Sequence, residues 1–370
     1  MKKQKLKKII IISGIVILAT LVIFGGNYLG WWSGKVIEIE NQSEENKVTG
    51  AENKNNNEEQ NQENKNKNEN ENEDTSPISG LECENAARRP MAVMISGNSE
   101  ARPLSGLSEA DLVVEMPVIT GGITRMMAVY VCGDPETIGS LRSARHDFIP
   151  LAMGLDAIFA HWGGSHFALD KLNAGIMDNI NAIVDYYGAF YRQPGIARPH
   201  NGFTSMKRLF KAAKRFGYRL ENNFEGYPHY TDDDNSLSGD NKDGILKINY
   251  PYPWNLEYRY QAKDNSYFRW RGGKKEIDKN NSEQIKAKNI VVMRAASRQI
   301  EGQYNDVDVE GEGKAIIYNN GEEISGRWKK DKNNKKSKLY FYDDSGAEIK
   351  FVPGQIWIEI VELGQGVDWK

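Results

Sequence analysis

The sequence predicts an α/β (or α+β) domain over residues 81–225, followed by an antiparallel β-rich domain over residues 245–370, both standing beyond a membrane anchor. Three observations predict this. The 370 residues, 39% of them hydrophobic, exceed one ordinary domain once the polar N-terminal tract is set aside. Up to residue 225, β-branched apolar runs alternate with stretches of helical period; after residue 245 only strand and turn signals remain. The first 76 residues, by contrast, pair a lysine-rich head with one apolar run and a long polar tract.

Taken in chain order, residues 1–8 are a basic head carrying Lys2, Lys3, Lys5, Lys7 and Lys8. Residues 9–30 read as a transmembrane helix, near the ~20 apolar residues that cross a hydrocarbon core. Trp31 and Trp32 follow where an interfacial aromatic belt lies. The positive head places the N-terminus inside and the rest outside. A cleaved secretory signal is the alternative, but no small-x-small cleavage site follows Phe24. Residues 41–76 are almost wholly Asn, Glu, Lys and Gln and cannot offset their ordering entropy, so they predict a disordered tether.

Within the first domain, Ala92–Ser96, Asp111–Ile119, Ile123–Cys132 and Ala157–His161 read as strands, with Gly121-Gly122 as a hairpin turn. Pro150 opens a helix to about Leu155, Ser165 caps one over Phe167–Leu172, and Thr204 or Ser205 caps a longer one stopped by Gly217. Residues 225–244 read as a solvated loop, whose Asp232–Asp234 run lacks the spacing of a calcium loop. Beyond it, Gly272-Gly273, Asn320-Gly321 and Ser345-Gly346 mark hairpins, and Ile356, Ile358 and Ile360 alternate along a C-terminal strand.

Composition excludes several classes. The balance of 48 basic against 51 acidic residues argues against a dedicated nucleic-acid binder, and two cysteines exclude a disulfide-stapled scaffold or a cysteine-rich zinc module. Cys83 and Cys132 can pair in an oxidising exterior, a pairing the sequence leaves open.

Chemistry concentrates in the first domain. His146, His161, His166 and His200 lie in one stretch together with Arg125, Arg142, Arg145, Arg192 and Arg198. A strand ending at His161 feeds Gly163, Gly164 and Ser165 at a helix start, where unpaired amides and the helix dipole favour an anion. Arg142 and Arg145 would point to opposite faces of a strand, but both can turn toward one ligand where a strand runs out into a loop. Guanidinium forks match phosphate or carboxylate oxygens. The candidate ligand-binding set is therefore Arg125, Arg142, Arg145, His161, Gly163, Gly164, Ser165, Arg198 and His200. A serine hydrolase is disfavoured because the Gly-x-Ser-x-Gly elbow is missing, and a zinc site from His161, His166 and Asp170 fails on spacing.

Several runs carry a resemblance: residues 102–111 (RPLSGLSEAD), Gly121–Arg125, Ile138–Arg145, His161 with Gly163–Ser165, Pro199–Asn201, and in the second domain Gly311–Lys314, Gly326–Lys329 and Pro353–Trp357. Together they resemble the YerB-like lipoproteins, a Gram-positive family of unknown function. The resemblance implies an envelope location and two domains. Many members look lipid-anchored through a cysteine, where this chain offers a transmembrane helix instead. The layout of Val129–Asp147 is also similar to LytR-CpsA-Psr enzymes, which transfer lipid-linked anionic polymers; that likeness implies Arg145 as a phosphate clamp, while no matching motif fixes the metal-holding acids, for which Asp111 and Glu115 are the candidates.

The expectation is thus a single-pass membrane protein whose external part binds a phosphorylated or anionic envelope component, without a cofactor. A phosphotransferase assisted by a divalent metal and a non-enzymatic assembly adaptor acting through the β-rich domain are the alternatives. The expected partners are the bilayer and an anionic polymer or lipid-linked phosphate, with no nucleic acid.

Overall fold

The computed structural model describes residues 74–231 and 242–370. The basic head, the predicted membrane span, the tether up to residue 73 and the Asp232–Asp234 run lie outside the described residues. Among the described residues no helix is long and apolar enough to cross a membrane. The last residues of the predicted tether belong to the folded part: Ser76 is buried, and its Oγ donates to Asp111 Oδ1 at 2.8 Å.

The N-terminal half contributes β1 (Met91–Ser96), β2 (Leu112–Pro117), β3 (Thr124–Tyr130), β4 (Ile138–Gly139), β5 (Ile158–His161), β6 (Asn179–Asn181), β7 (Tyr191–Arg192) and β8 (Gly202–Thr204). Its helices are α1 (Phe148–Gly154), α2 (His166–Asn173) and α3 (Met206–Phe216). The C-terminal half adds β9 (Gly244–Ile248), β10 (Leu256–Gln261), β11 (Ser266–Arg271), β12 (Lys274–Lys275), β13 (Lys286–Ala287) and β14 (Asn289–Ala295). There follow β15 (Ser297–Glu301), β16 (Tyr304–Val307), β17 (Gly311–Asn319), β18 (Glu322–Lys330), β19 (Tyr340–Asp343), β20 (Ile356–Glu362) and β21 (Val367–Trp369).

The fold is strand-rich, with a mixed sheet in the N-terminal domain and a mainly antiparallel C-terminal region. Both halves build one ten-stranded sheet, ordered β19-β18-β17-β14-β20-β2-β3-β1-β5-β6. The joint is β20, parallel to β14 on one side and to β2 on the other. Strand β20 was expected to alternate, yet Ile356 through Val361 are all buried, because a central strand covered on both faces has no solvent side.

Period-two alternation sorts the sheet's side chains into two cores. Ala92, Met94, Val114, Met127 and Ile358 face α1 and α2. Met91, Val93, Val113, Ala128 and Trp357 face α3 and a second, antiparallel sheet ordered β12-β11-β10-β9-β21.

Local signals were obeyed where hydrogen-bonding chemistry decides them. Ser165 Oγ accepts from Ala168 N at 3.3 Å and Ser205 Oγ from Arg208 N at 3.3 Å, capping α2 and α3. Gly217 closes α3 at φ +74°. The stretch after Glu225 is no free loop throughout: Tyr227 is in the core, and His229 Nε2 donates to Ile78 O at 3.1 Å.

Candidate functional site

The site begins where β1 and β5 part. They pair in parallel from Met91 to Val93, and beyond that the segment following β4 runs between them. Ser96 N donates to Ser140 O at 2.9 Å and Arg142 N to Met94 O at 2.9 Å on one side. On the other, Trp162 N donates to Arg142 O at 3.0 Å and Ala144 N to Gly163 O at 2.9 Å. A cleft where the carboxyl ends of parallel strands diverge is a recurrent ligand position in open sheets. Here the Arg142–Asp147 run is threaded into it.

Three guanidinium groups are packed there. Arg125, on β3, is 8% exposed; its Nη1 donates to Ser143 O at 2.8 Å, and its buried Nε has no acceptor among the described residues. Arg145 is 9% exposed, donates from Nη1 to Ala144 O at 3.1 Å, and lies over the Tyr304 ring at 5.2 Å. Its buried Nε is likewise unaccepted among the described residues. Arg142 is half-buried; its Nη2 lies 3.1 Å from His200 Nδ1 and 3.5 Å from Asn98 Oδ1, and its Nε donates to Ser96 Oγ at 3.4 Å. Among the described residues none of the three forms an ion pair with a carboxylate.

Burial lowers the basicity of all three, and the repulsion of Arg145 and Arg142 depresses Arg125 further. Glu100 opposes the shift at Arg142, as do Tyr304 and Asp147 at Arg145. The imidazole of His200 is pushed down by burial and by Arg142, so near neutral pH it accepts the guanidinium's hydrogen bond through Nδ1. The result is a cluster of three guanidinium groups with Glu100 and Asp147 nearby but not paired to them.

The rest of the expected set is placed differently. His161 is wholly buried and bonded at both nitrogens, Nδ1 2.8 Å from Gly163 O and Nε2 3.2 Å from Asn179 Oδ1. The amide of Gly163 donates to Asn181 Oδ1 at 3.1 Å, and that of Ser165 to Ala144 O at 3.1 Å. At Gly164 a Cβ would stand 3.1 Å from Leu169 Cγ, so this glycine serves close packing of the turn on α2. Arg198 is exposed in the loop before His200. The structure therefore brings Arg125, Arg142, Arg145 and His200 together, while His161, Gly163 and Ser165 are engaged by the fold.

Asp111 and Glu115 are not free to hold a metal. Asp111 accepts from Ser76 Oγ, Ser79 Oγ, Val131 N at 2.7 Å and Cys132 N at 3.0 Å, fixing the chain start to the end of β3. Glu115 is wholly buried between the two sheets; Thr124 Oγ1 and Arg269 donate to it closely, and Arg271 Nη2 bridges its oxygens at 2.5 and 2.6 Å.

Glu115 belongs to a network that sequence reasoning missed. Arg269, 0% exposed, also binds Glu276 and Glu359, and its guanidinium stacks 4.0 Å over the Trp357 ring. Tyr258 Oη donates to Glu359 Oε1 at 2.5 Å and accepts from Arg269 Nε at 2.8 Å. Despite burial, Arg271 and Arg269 hold the Glu115 carboxyl at about 2, whereas burial and the Glu115 charge push Glu359 up to about 7. The available signals were one glutamate inside each of two apolar strands and two arginines spaced for one strand face.

Two family models match the chain, the N-terminal domain of a "Protein of unknown function (DUF3048)" over residues 78–219 and its C-terminal domain over residues 246–358. A Bacillus subtilis (strain 168) protein named "Putative lipoprotein YerB" is 34% identical over 293 residues, covering 77% of this chain and 86% of that protein. This chain belongs to the DUF3048 family. A crystal structure of the YerB protein from Bacillus subtilis agrees with a TM-score of 0.72 at 31% identity, covering 80% of this chain and 99% of that one. The first DUF3048 segment contains β2, and the second runs into the start of β20, the strand paired with it.

Proposed function

We propose that this protein works at the outer face of the cell membrane and binds a phosphorylated or otherwise anionic envelope component through Arg125, Arg142 and Arg145, with His200 beside them. Two buried arginines and one half-buried one, grouped where β1 and β5 part and with no carboxylate paired to them among the described residues, carry this reading. Buried like charges are unfavourable until a counter-charge arrives, and guanidinium donors without acceptors fit oxygen-rich anions. Arg198, exposed two residues before His200, adds long-range attraction.

The location rests on separate support. Cys83 and Cys132 form a disulfide with Cα atoms 5.7 Å apart, a bond that persists in oxidising compartments. The lysine head and apolar run at the N-terminus fit a membrane anchor, and the Bacillus subtilis relative is named as a lipoprotein.

The test is co-sedimentation of the full chain with a phosphate-rich polymer. Loss of two charge-assisted contacts at about 1.5–3 kcal/mol each in R142A/R145A weakens binding by at least about 100-fold while circular dichroism is unchanged. Equal binding by the two proteins overturns the reading.

A further inference from the structure

The residues following Arg145 carry a second constellation. His146 and Asp147 lie in the turn entering α1, and Asp306 lies on β16. Val307 N donates to Asp147 Oδ1 at 3.3 Å, which draws the β15–β16 hairpin onto this turn. The His146 ring packs 5.4 Å from Phe167, which meets Tyr304 of the same hairpin at 5.9 Å. The result is that His146 Nε2 lies 3.1 Å from Asp147 Oδ1 and 3.0 Å from Asp306 Oδ1, the three donor atoms all within 4.8 Å of one another.

Such separations match the edges of a coordination polyhedron. Bonds of about 2.0–2.1 Å give ligand–ligand edges of about 3.0 Å in an octahedron and about 3.3 Å in a tetrahedron. Hydrogen bonding alone serves this geometry poorly. Nε2 carries at most one proton, yet two carboxylate oxygens stand against it, and the Asp147 side chain is only 4% exposed, so water cannot solvate it freely. The outer oxygen of Asp306 is held by Arg298, the kind of partner that orients a ligating carboxylate. The three groups open onto a cavity of about 240 Å³, which Glu310, Lys171, Lys332 and Arg298 also line; Glu310 Oε1 is buried without a donor among the described residues.

We propose that His146, Asp147 and Asp306 form a three-ligand site for a divalent transition-metal ion, with its remaining positions open to the cavity. One imidazole with two carboxylates suits an ion of the zinc or manganese class; calcium takes six to eight oxygens. The site uses none of Arg125, Arg142 and Arg145 and stands whether or not they bind an anion.

The test uses the full chain, stripped with chelator and titrated with zinc or manganese by calorimetry, with cobalt(II) absorption reporting nitrogen and oxygen ligation. One saturable equivalent per chain is expected, weakened at least about 100-fold in both H146A and D306N. H166A, altering an exposed histidine paired with Glu301 at 3.2 Å, retains it. D306N is preferred to a change at Asp147, which also supports the Val307 amide. No saturable uptake by the wild-type chain, or uptake that survives in both H146A and D306N, overturns the site.

Discussion

Replacing Arg269 by methionine probes what joins the two halves. Arg269 comes from the C-terminal half and binds Glu115 of the N-terminal half, together with Glu276, Glu359 and Tyr258, at 0% exposure. Methionine keeps much of the volume against Trp357 but removes the charge. Glu115 retains Arg271, whereas Glu359 is left with Tyr258 beside a second buried carboxylate. Breaking a buried network by deleting one partner costs about 3–5 kcal/mol, a third or more of a typical stability of about 5–15 kcal/mol. Urea unfolding followed by tryptophan fluorescence measures it. The double variant R269M/E359Q removes the stranded carboxyl as well, so it recovers about 1–3 kcal/mol relative to additivity. A cost below about 1 kcal/mol for R269M, or strict additivity in the double variant, refutes this account of how the sheets are joined.

Two further predictions concern the same fold. Removing the Cys83–Cys132 bond, which closes a sequence separation of 49, lowers stability by about 4 kcal/mol on the loop-entropy model, measured as the difference between C83A/C132A and wild type in urea. Glu359 titrates near 7 in the fold against an ordinary 4.5, because burial and then Glu115 favour its protonated form. A raised carboxyl binds more protons folded than unfolded, so its contribution is fully present below pH 4.5 and is lost as pH rises through 7. Relative to E359Q, the wild type therefore loses up to about 3 kcal/mol between pH 4.5 and pH 8, read from urea midpoints across that range; a flat difference contradicts the shift.

Elements governed by near neighbours in the chain were legible. The apolar runs of β1, β2 and β3, the serine caps of α2 and α3 and the glycine after α3 all rest on contacts within a few residues. What could not be read were partnerships over long separations. Glu115 and Glu359 looked like polar positions on ordinary strands until a second sheet covered that face. The glycine turn had the composition of an anion cradle, but from outside the motif Asn181 takes the Gly163 amide and Ala144 takes the Ser165 amide and the Gly163 carbonyl. The Arg125–Arg142–Arg145 grouping was legible as a sequence cluster, and became spatial because one segment is threaded between β1 and β5. Asp306, some 160 positions from His146, carried no local signal at all.

Placing Ile356–Glu362 in the middle of the large sheet has a consequence for biogenesis. Both neighbours of this strand, β2 and β14, precede it in the sequence, so the centre of the sheet cannot be filled until Ile356–Glu362 has been made. A product shortened before residue 356 presents two naked hydrogen-bonding rims, one on β2 and one on β14, each flanked by apolar side chains. Such fragments invite self-association through those rims.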